Sequence, residues 1–337
     1  GNQNGRVVTF DNGIATTAAL CGFTITNGGA TDLGGGIYCS SSSPTLTHLT
    51  ITNNSSYYSG QPYTGLGGGI SFSDSSNPSL ENVTIIGNSA QHGGGVYCEN
   101  SSPSLVNVRI SDNSASVGGG INCSMGSVSN PSLVNVTISN NSASARGGGI
   151  YCNNSSPSLE NVKITGNSVQ NGEGGGIDCR NNSSPSLENV TISGNTASNI
   201  GGGIFCRSGS SPSLVNCILW NDLPQEVYLD GASFTATYSA IQGGWEGEAN
   251  IDADPLFCNP DSGDYALAEN SPCVGTGQDG ANMGALDVGC GPINIDAVVN
   301  FSFDLSCYHG IFEELSGGYT PYIKGNWNNW DNSIPMS

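Results

Sequence analysis

Carboxylates are the first side chains in this sequence that could do chemistry. Glu81, Glu160 and Glu188 occupy the same position of a repeated phrase, and the last two stand in neighbouring copies. A glycosidase uses two carboxyl groups about 5–10 Å apart, and neighbouring strands would allow that spacing. Other copies carry valine at this position and no aromatic platform accompanies it. We therefore expect an exposed strand face and predict no catalytic residue.

A second group of carboxylates lies in the acidic segment 250–264. Its members are Asp252, Asp254, Asp261 and Asp264. Calcium takes six to eight oxygen ligands, and these side chains could supply some of them, although their spacing is not that of an EF-hand loop. The sequence therefore offers a candidate calcium site, and it suggests no other cofactor.

Positive charges are scarce and scattered. The chain has 7 Lys+Arg against 27 Asp+Glu, which gives a formal net charge of −20. That balance argues against nucleic acid as a partner, because too few cations are present to neutralise phosphates, and it would repel an anionic polysaccharide. Arg109 and Lys163 stand where other copies carry threonine, so we interpret them as solvated substitutions. No run of 18 apolar residues occurs, so no membrane span is predicted.

Cysteine is the third candidate, with 12 residues and no CxxC pair. One set ends the same short strand in successive copies: Cys39, Cys98, Cys123, Cys152, Cys179 and Cys206. One thiol per copy gives no tetrahedral metal site, so a column of small buried hydrophobic residues is favoured, with disulfides between copies as an alternative. The better disulfide candidates, suited to an oxidising compartment, are Cys258, Cys273, Cys290 and Cys307.

The elements that position these residues are set by an internal repeat. A triple glycine begins at Gly34, Gly67, Gly93, Gly118, Gly147, Gly174 and Gly201. Around it, phrases such as NVTI and GGGIYC alternate apolar and polar residues, which is the period of a strand. Three short strands in a unit of 25 to 33 residues predict one coil of a parallel β-helix, with neighbouring coils about 4.8 Å apart.

Asparagine recurs in two columns of this repeat. The first is predicted to contain Asn27, Asn53, Asn88, Asn113, Asn141, Asn167 and Asn195. The second contains Asn82, Asn107, Asn135, Asn161, Asn189 and Asn216, with His48 in the equivalent position. Stacked amides can hydrogen-bond along a column and satisfy buried backbone groups, so we interpret both columns as structural ladders. The sequons at three positions of the second column are expected to be buried.

The repeats resemble those of known bacterial surface proteins. The pattern of Ile110, Asn113, Ala115 and the glycines 118–120 is similar to the GGA(I/L) and FxxN motifs of polymorphic outer-membrane proteins. More broadly, it resembles pectate-lyase-like right-handed β-helix repeats, and residues 238–277 and 283–290 resemble the closing segment of many such proteins. The resemblance covers residues 1–290 and implies right-handed coils, which is an architecture rather than a reaction.

The C-terminal tail has a different composition, rich in aromatic residues. Val299, Phe301, Phe303 and Leu305 alternate with polar residues, which predicts a strand with one buried face. This strand either caps its own last coil or docks on the first coil of the next molecule, and the second arrangement would build a filament.

Together these patterns predict an all-β protein, a right-handed parallel β-helix of three-strand coils with a distinct C-terminal β-rich tail. The expected divisions are 1–220 for the repeats, 221–290 for acidic closing coils and 291–337 for the tail. We expect a structural or adhesive protein, extracellular or at a cell surface, that associates end to end and contacts glycans or a host surface. The alternative is a carbohydrate-active β-helix enzyme or a glycan-binding module. The candidate glycan contacts are Tyr57, Tyr58 and Tyr63.

Overall fold

The computed structural model describes residues 5–57, 65–124 and 129–293, together with two short strands in the tail. The chain forms two compact units, Gly1–Ile293 and Asn294–Ser337. In the second unit, Tyr322–Ile323 pairs antiparallel with Ile334–Pro335. Val299, Phe301, Phe303 and Leu305 lie outside the described residues, so the strand expected there stays a prediction.

The first unit is a solenoid of parallel strands that form long ladders along its axis. The first ladder contains nine strands: Val8–Phe10, Ile37–Ser40, Ile70–Ser73, Val96–Cys98, Ile121–Cys123, Ile150–Asn153, Ile177–Arg180, Ile204–Arg207 and Val227–Asp230. We call it sheet 1. Seven of its strands follow a triple glycine, whereas the first follows Gly-Arg-Val and the last follows Pro-Gln-Glu. In register, each isoleucine or valine that opens a strand pairs with its counterpart in the next coil.

Sheet 2 and sheet 3 complete the core. Sheet 2 contains Ala19–Cys21, Thr45–Thr47, Ser79–Glu81, Ser104–Val106, Ser132–Val134, Ser158–Glu160, Ser186–Glu188, Ser213–Val215 and Thr235–Thr237. Sheet 3 contains Thr24–Thr26, Thr50–Thr52, Thr84–Ile86, Arg109–Ser111, Thr137–Ser139, Lys163–Thr165, Thr191–Ser193, Ile218–Trp220 and Ala240–Ile241. The parallel β-helix is therefore confirmed.

A fourth ladder departs from the expected three strands per coil. Sheet 4 contains Gly29–Ala30, Ser55–Ser56, Ser89–Ala90, Ser114–Val117, Ser142–Arg146, Ser168–Val169 and Thr196–Ala197. Most of these strands have two residues, and the Ser-Ala phrase before the glycines is too short to show a period. Its apolar residues Ala143, Val169 and Ala197 are buried in a small cluster of their own.

The core is a set of columns, one residue per strand and coil. Leucines of sheet 2, isoleucines of sheets 1 and 3, and the cysteines of sheet 1 point inward and are buried. The triple glycines let the chain turn tightly between these columns. Gly118 has φ +67°, and a Cβ atom there would lie 2.6 Å from the carbonyl oxygen of Ile121, so only glycine fits.

The segment after Ile241 closes this end of the solenoid with a different topology. Phe257–Asn259 pairs antiparallel with Asp264–Ala268, and Val288–Cys290 pairs parallel to the latter. Two 3₁₀ turns, Pro260–Ser262 and Gln278–Gly280, complete it. Its apolar side chains pack with Ile218 of sheet 3 in a second core cluster. The disulfide Cys258–Cys290 ties the small sheet together.

Candidate functional site

A cleft runs between the outer face of sheet 3 and the turn of the closing hairpin. Its volume is about 450 Å³. Sheet 3 contributes Arg109, Thr137, Ser139, Asn140, Lys163 and Thr165, and the hairpin turn contributes Pro260, Asp261, Ser262 and Gly263. The hairpin is distant in sequence from the strands that it faces, and only the fold brings the two walls together. We call this site the sheet 3 cleft.

Two positive charges define the sheet 3 cleft. Arg109 pairs in register with Thr137, which pairs with Lys163, so the two cations stand two strand spacings, or about 10 Å, apart on one face. Within the described ranges neither forms an ion pair, and Nε of Arg109 donates to the hydroxyl of Ser111 at 3.2 Å. The structure thus brings together two cations that the sequence suggested were isolated substitutions.

The arginines that do form ion pairs lie outside the sheet 3 cleft. Arg6 contacts Asp32 at 2.6 Å, and Arg207 contacts Asp230 at 2.9 Å. Arg180 contacts both Asp178 and Glu173. The charge of a paired arginine is neutralised by its carboxylate partner. Arg109 and Lys163 are therefore better candidates than these three arginines for binding an external anion. Asp261 of the hairpin turn is exposed and is the one acid among the lining residues.

A second, smaller groove lies on the outer face of sheet 2. It has a volume of about 190 Å³, and Glu160 and Glu188 are among its lining residues. The two glutamates are register partners on neighbouring strands and both are exposed, as is Glu81 farther along the column. The exposed strand face expected from the sequence is confirmed, and the spacing of the two carboxylates stays compatible with glycoside chemistry.

The alternation of the sheet 1 strands places their middle residues on the outer face, away from the core cluster, yet most of them are buried there. Tyr97, Asn122 and Asp178 are completely buried. They belong to one column, because Tyr97 pairs in register with Asn122, and Tyr151 lies in register between Asn122 and Asp178. Arg180 also covers this face, because its guanidinium lies 4.9 Å from the ring centre of Phe205.

Asp178 and Arg180 form a buried ion pair within this column. Nε of Arg180 donates to Oδ1 of Asp178 at 2.8 Å, and its other contact is Glu173 at 3.0 Å. Burial raises the pKa of Asp178 to about 7, although the Arg180 charge opposes the shift. The pair lies outside both clefts described above, so we interpret it as part of the scaffold.

The first asparagine column is a continuous hydrogen-bonded ladder. In each step an asparagine donates its backbone N–H and its side-chain amide to the same oxygen of the next; for Asn113 and Asn141 both distances are 3.0 Å. The predicted Asn88, Asn113, Asn141, Asn167 and Asn195 are all members and all buried. This structural role is therefore confirmed for these residues.

The start of this ladder differs from the prediction by one residue. Asn54 and Gly28 occupy the ladder positions, with Gly28 N–H donating to Oδ1 of Asn54 at 2.9 Å. Asn27 and Asn53 are exposed, each with a left-handed φ near +55°. They belong to the turn before the ladder. The prediction was off by one residue because either residue of an Asn-Asn or Asn-Gly pair matches the loose repeat pattern.

The second asparagine column sits in left-handed turns, where asparagine is tolerated better than most residues. Asn82, Asn135 and Asn189 have φ between +52° and +55°. Side chains link along the column, for example from Nδ2 of Asn135 to Oδ1 of Asn107 at 3.2 Å. Asn82 and Asn135 are exposed and Asn189 is partly so, and the expectation that these sequons are buried is wrong.

The ladder ends in an acidic pair that the sequence did not suggest. Asp222 takes the ladder position after Asn195 and accepts both of its N–H groups, at 2.6 and 2.9 Å. The backbone N–H of Asp222 donates to Oε1 of Glu226 at 3.0 Å. Burial and the neighbouring Glu226 raise the pKa of Asp222, and burial raises that of Glu226.

The cysteine column is a stack of buried free thiols, as predicted. Cys39, Cys98, Cys123, Cys152, Cys179 and Cys206 are fully buried and unpaired. Burial raises the pKa of the Cys39 thiol to about 12. Among the other four, Cys258 and Cys290 form a disulfide, whereas Cys273 is a buried free thiol. Cys307 lies outside the described residues.

The candidate calcium ligands do not converge. Asp252, Asp254 and Asp264 each accept a backbone N–H of their own neighbourhood, at 3.1, 2.9 and 3.1 Å. Asp261 points from the hairpin turn toward the sheet 3 cleft. No group of three or more metal-binding side chains occurs within residues 5–57, 65–124 and 129–293. Calcium therefore stays a prediction. Tyr57 is exposed, and Tyr58 and Tyr63 lie outside the described residues.

Comparison with known proteins defines the class of this molecule. The family model of the right-handed β-helix region matches residues 3–156 and 135–242, so the chain belongs to the right-handed β-helix family. Among solved structures, the crystal structure of pectate lyase Pel9A is similar over 85% of this chain and 87% of that one, with 11% sequence identity and a TM-score of 0.40. No curated protein matches the sequence. In the described part of the chain, no helix is long and apolar enough to cross a membrane.

Proposed function

We propose that this protein is an extracellular, adhesive β-helix rod that binds an acidic glycan in the sheet 3 cleft. The observation that carries the proposal is the pair Arg109 and Lys163, two cations without an acidic partner that line one cleft. In a chain with a net charge of −20, such a pair is the exception on the surface. A local positive site can hold an anion even where the whole molecule repels it at long range.

The remaining lining of the cleft favours a sugar chain over a hydrophobic ligand. Thr137, Ser139 and Thr165 offer hydroxyl groups, and Asn140 offers an exposed amide. These groups both donate and accept hydrogen bonds, as sugar hydroxyls do. The cations stand two strands apart along the solenoid axis, so a bound chain would lie along the rod, with acidic groups near each cation.

The rod itself suits a structural or adhesive role. Ladders of hydrogen bonds and buried columns run through nine coils, and each coil contacts only its neighbours. The disulfide Cys258–Cys290 supports an oxidising location such as the cell exterior, since disulfides persist there. An uninterrupted solenoid holds its binding surface at a fixed distance from whatever anchors it.

A glycan array screened with the purified protein tests this proposal. The wild-type protein is expected to bind the acidic glycans of the array and to dissociate from them as the salt concentration rises, because the contact is charge-dependent. The double variant Arg109→Gln, Lys163→Gln should lose at least tenfold in affinity. Arg207→Gln is the matched control, since Arg207 is an exposed arginine in sheet 1 whose charge is already paired with Asp230. Equal binding by all three proteins would remove the cleft from the proposal.

A carbohydrate-active enzyme is the second candidate, and the register pair Glu160 and Glu188 is the observation that favours it. Retaining glycosidases hold their two carboxyl groups about 5 Å apart, which matches neighbouring strands. Hydrolysis of aryl glycosides should then fall by several orders of magnitude in Glu160→Gln. Glu81→Gln is the control, because Glu81 occupies the same column beside a valine. Absence of wild-type hydrolysis across a broad glycoside panel would leave binding as the function.

End-to-end association is the third part of the proposal. Val8–Phe10, Ala19–Cys21 and Thr24–Thr26 are the outermost described strands of sheets 1, 2 and 3, and Phe23 between them is 56% exposed. Strand edges of this kind favour pairing with another chain. Electron microscopy of the protein at rising concentration should show rods joining into filaments, and deletion of residues 298–337 should abolish them if the tail is the partner. Isolated rods at every concentration would contradict association.

A further inference from the structure

Two positions of the repeat change together in the coil that ends the asparagine ladder. Asp222 replaces the ladder asparagine, and Glu226 replaces the third glycine of the triplet. The second replacement is visible in the hydrogen bonds, because Ile204 N–H donates to Glu226 O as Ile177 N–H donates to Gly203 O one coil earlier. The third glycine normally lies against a ladder amide; a Cβ atom on Gly176 would be 3.3 Å from Nδ2 of Asn195. By the same relation Gly203 lies against Asp222, where its Cβ atom would be 2.8 Å from Oδ2. Glu226 instead takes the role of the next ladder residue, because its Oε1 accepts the backbone N–H of Asp222.

The hydrogen bonds of this pair leave one oxygen of each acid without a donor. Oδ1 of Asp222 accepts the two N–H groups of Asn195, and Oε1 of Glu226 accepts the N–H of Asp222. Oδ2 of Asp222 and Oε2 of Glu226 are buried and accept no hydrogen bond from any described donor. The residues are only 3% and 7% exposed, so both oxygens are largely shielded from bulk solvent. Two ionised carboxylates in this arrangement would be strongly destabilising.

The surroundings offer no described positive charge to compensate. Neither acid forms an ion pair, and Arg207 of the adjacent strand is already bound to Asp230. The closing hairpin contributes Tyr265, whose pKa is raised first by burial and then by the charge of Asp222. Asn195 and Gly203 contribute neutral groups only. The two residues are joined directly, since Oε1 of Glu226 accepts the backbone N–H of Asp222 at 3.0 Å, and a hydrogen bond between their carboxyl groups requires a proton on one of them.

We propose that Asp222 and Glu226 hold a single proton between Oδ2 and Oε2, and that this proton keeps the last coil closed. Loss of the proton places two like charges side by side in a buried site, so the coil that contains Val227–Asp230 opens. The device makes the junction between the repeats and the closing segment sensitive to pH. It does not depend on the proposed glycan binding, since neither acid lines the sheet 3 cleft.

The direction of the pH effect follows from linkage. In the unfolded chain both acids titrate near pH 4, whereas in the folded chain one of them keeps its proton to higher pH. Unfolding therefore releases one proton between these two pKa values. The equilibrium constant for unfolding should rise by up to tenfold per pH unit from about pH 4 upward, and level off once the folded protein has also lost the proton.

Two substitutions replace the shared proton by an amide hydrogen that cannot ionise. In Asp222→Asn the new Nδ2 can donate to Oε2 of Glu226, and in Glu226→Gln the new Nε2 can donate to Oδ2 of Asp222. Denaturant unfolding from pH 4 to pH 9 should show that the pH dependence of each variant is smaller than that of the wild type by one proton, while the contribution of Asp178 remains. Asp279→Asn is the control, because Asp279 is an exposed left-handed residue where asparagine is equally tolerated. It should keep the wild-type dependence.

Hydrogen exchange locates the effect within the molecule. As pH rises, the wild-type peptide 221–230 should exchange faster, relative to its intrinsic rate, than the same peptide of Asp222→Asn, while peptides from the coils at 96–123 should not differ. Identical pH profiles for wild type and Asp222→Asn would overturn the proposal. So would stabilisation of the wild type at pH 8 by millimolar calcium that Asp222→Asn lacks, because a cation rather than a proton would then hold the two oxygens.

Discussion

Oδ1 of Asn141 accepts two hydrogen bonds from Asn113, one from its backbone N–H and one from its side-chain amide, each at 3.0 Å. The amide of Asn141 in turn donates to Ile110 O and to Oδ1 of Asn167, also at 3.0 Å. One side chain thus satisfies groups in both of the coils that flank its own. In a solenoid each coil contacts only its neighbours, so the ladder hydrogen bonds are part of the interface that stabilises each coil against the next.

Removal of one ladder side chain should be costly. In Asn141→Ala the backbone N–H of Asn113 and the carbonyl of Ile110 lose their partners in a buried site. Leaving a buried group unsatisfied costs about 1–3 kcal/mol, so we expect the free energy of unfolding to fall by about 3 kcal/mol or more in denaturant titrations. Asn135→Gly is the control: it removes an exposed asparagine from a left-handed turn that glycine adopts readily, and its effect should stay below about 1 kcal/mol.

The thiol column should be chemically silent in the folded protein. Thiolates react, not thiols, and burial raises the pKa of Cys39 and of Cys217 to about 12. Alkylation at pH 8 should therefore modify the exposed Cys21, whereas the six column cysteines should stay unmodified until denaturant is added. Mass spectrometry detects which thiols have reacted. Rapid labelling of Cys152 or Cys179 in the native protein would show that the coils open, and would contradict the closed core.

Asp178 should make its own contribution to the pH dependence of stability. Burial raises its pKa to about 7 in the folded protein, against about 4 in the unfolded chain. Between these values unfolding releases a proton, so stability falls as pH rises from 4 to 7 and is flat above. Asp178→Asn should reduce the slope of the free energy of unfolding against pH, between pH 4 and pH 7, by the equivalent of up to one proton. Denaturant unfolding at each pH measures this slope. Asp112→Asn, which removes an exposed acid at a left-handed position, should leave the slope unchanged.

The sequence predicted the solenoid well, because a repeat states the same local rule many times. The alternating Ile and Cys of GGGIYC, and the column from Asn88 to Asn195, could be assigned without coordinates. What it missed depends on places where copies differ or distant segments meet. The Asn53 assignment slipped by one residue beside an insertion. Burial of the outward-facing Tyr97 could not be predicted, because covering by neighbouring side chains leaves no periodic signal in the sequence.

The two sites with the most chemical interest were hidden for the same reasons. Arg109 and Lys163 acquire a shared cleft only when the hairpin turn at 260–263 folds over sheet 3. The signal for the acidic pair was present in the phrase NDLPQEV, where the ladder asparagine and the third glycine are both replaced by acids. This signal can be recognised only after the ladder alignment is known, because the alignment identifies which repeat positions Asp222 and Glu226 occupy. The two residues lie four positions apart in sequence, on either side of a turn.

The disulfide should link the stability of the closing segment to the cleft. Cys258 and Cys290 close a loop of sequence separation 32, for which chain entropy predicts about 4 kcal/mol of stabilisation. The double variant Cys258→Ala, Cys290→Ala should unfold its closing segment at lower denaturant than residues 34–207, as hydrogen exchange would reveal. Because the hairpin turn forms one wall of the sheet 3 cleft, the variant should also bind acidic glycans more weakly while Arg109 and Lys163 remain in place. Unchanged affinity in the double variant would mean that sheet 3 alone binds the ligand and that the hairpin turn is not part of the binding site.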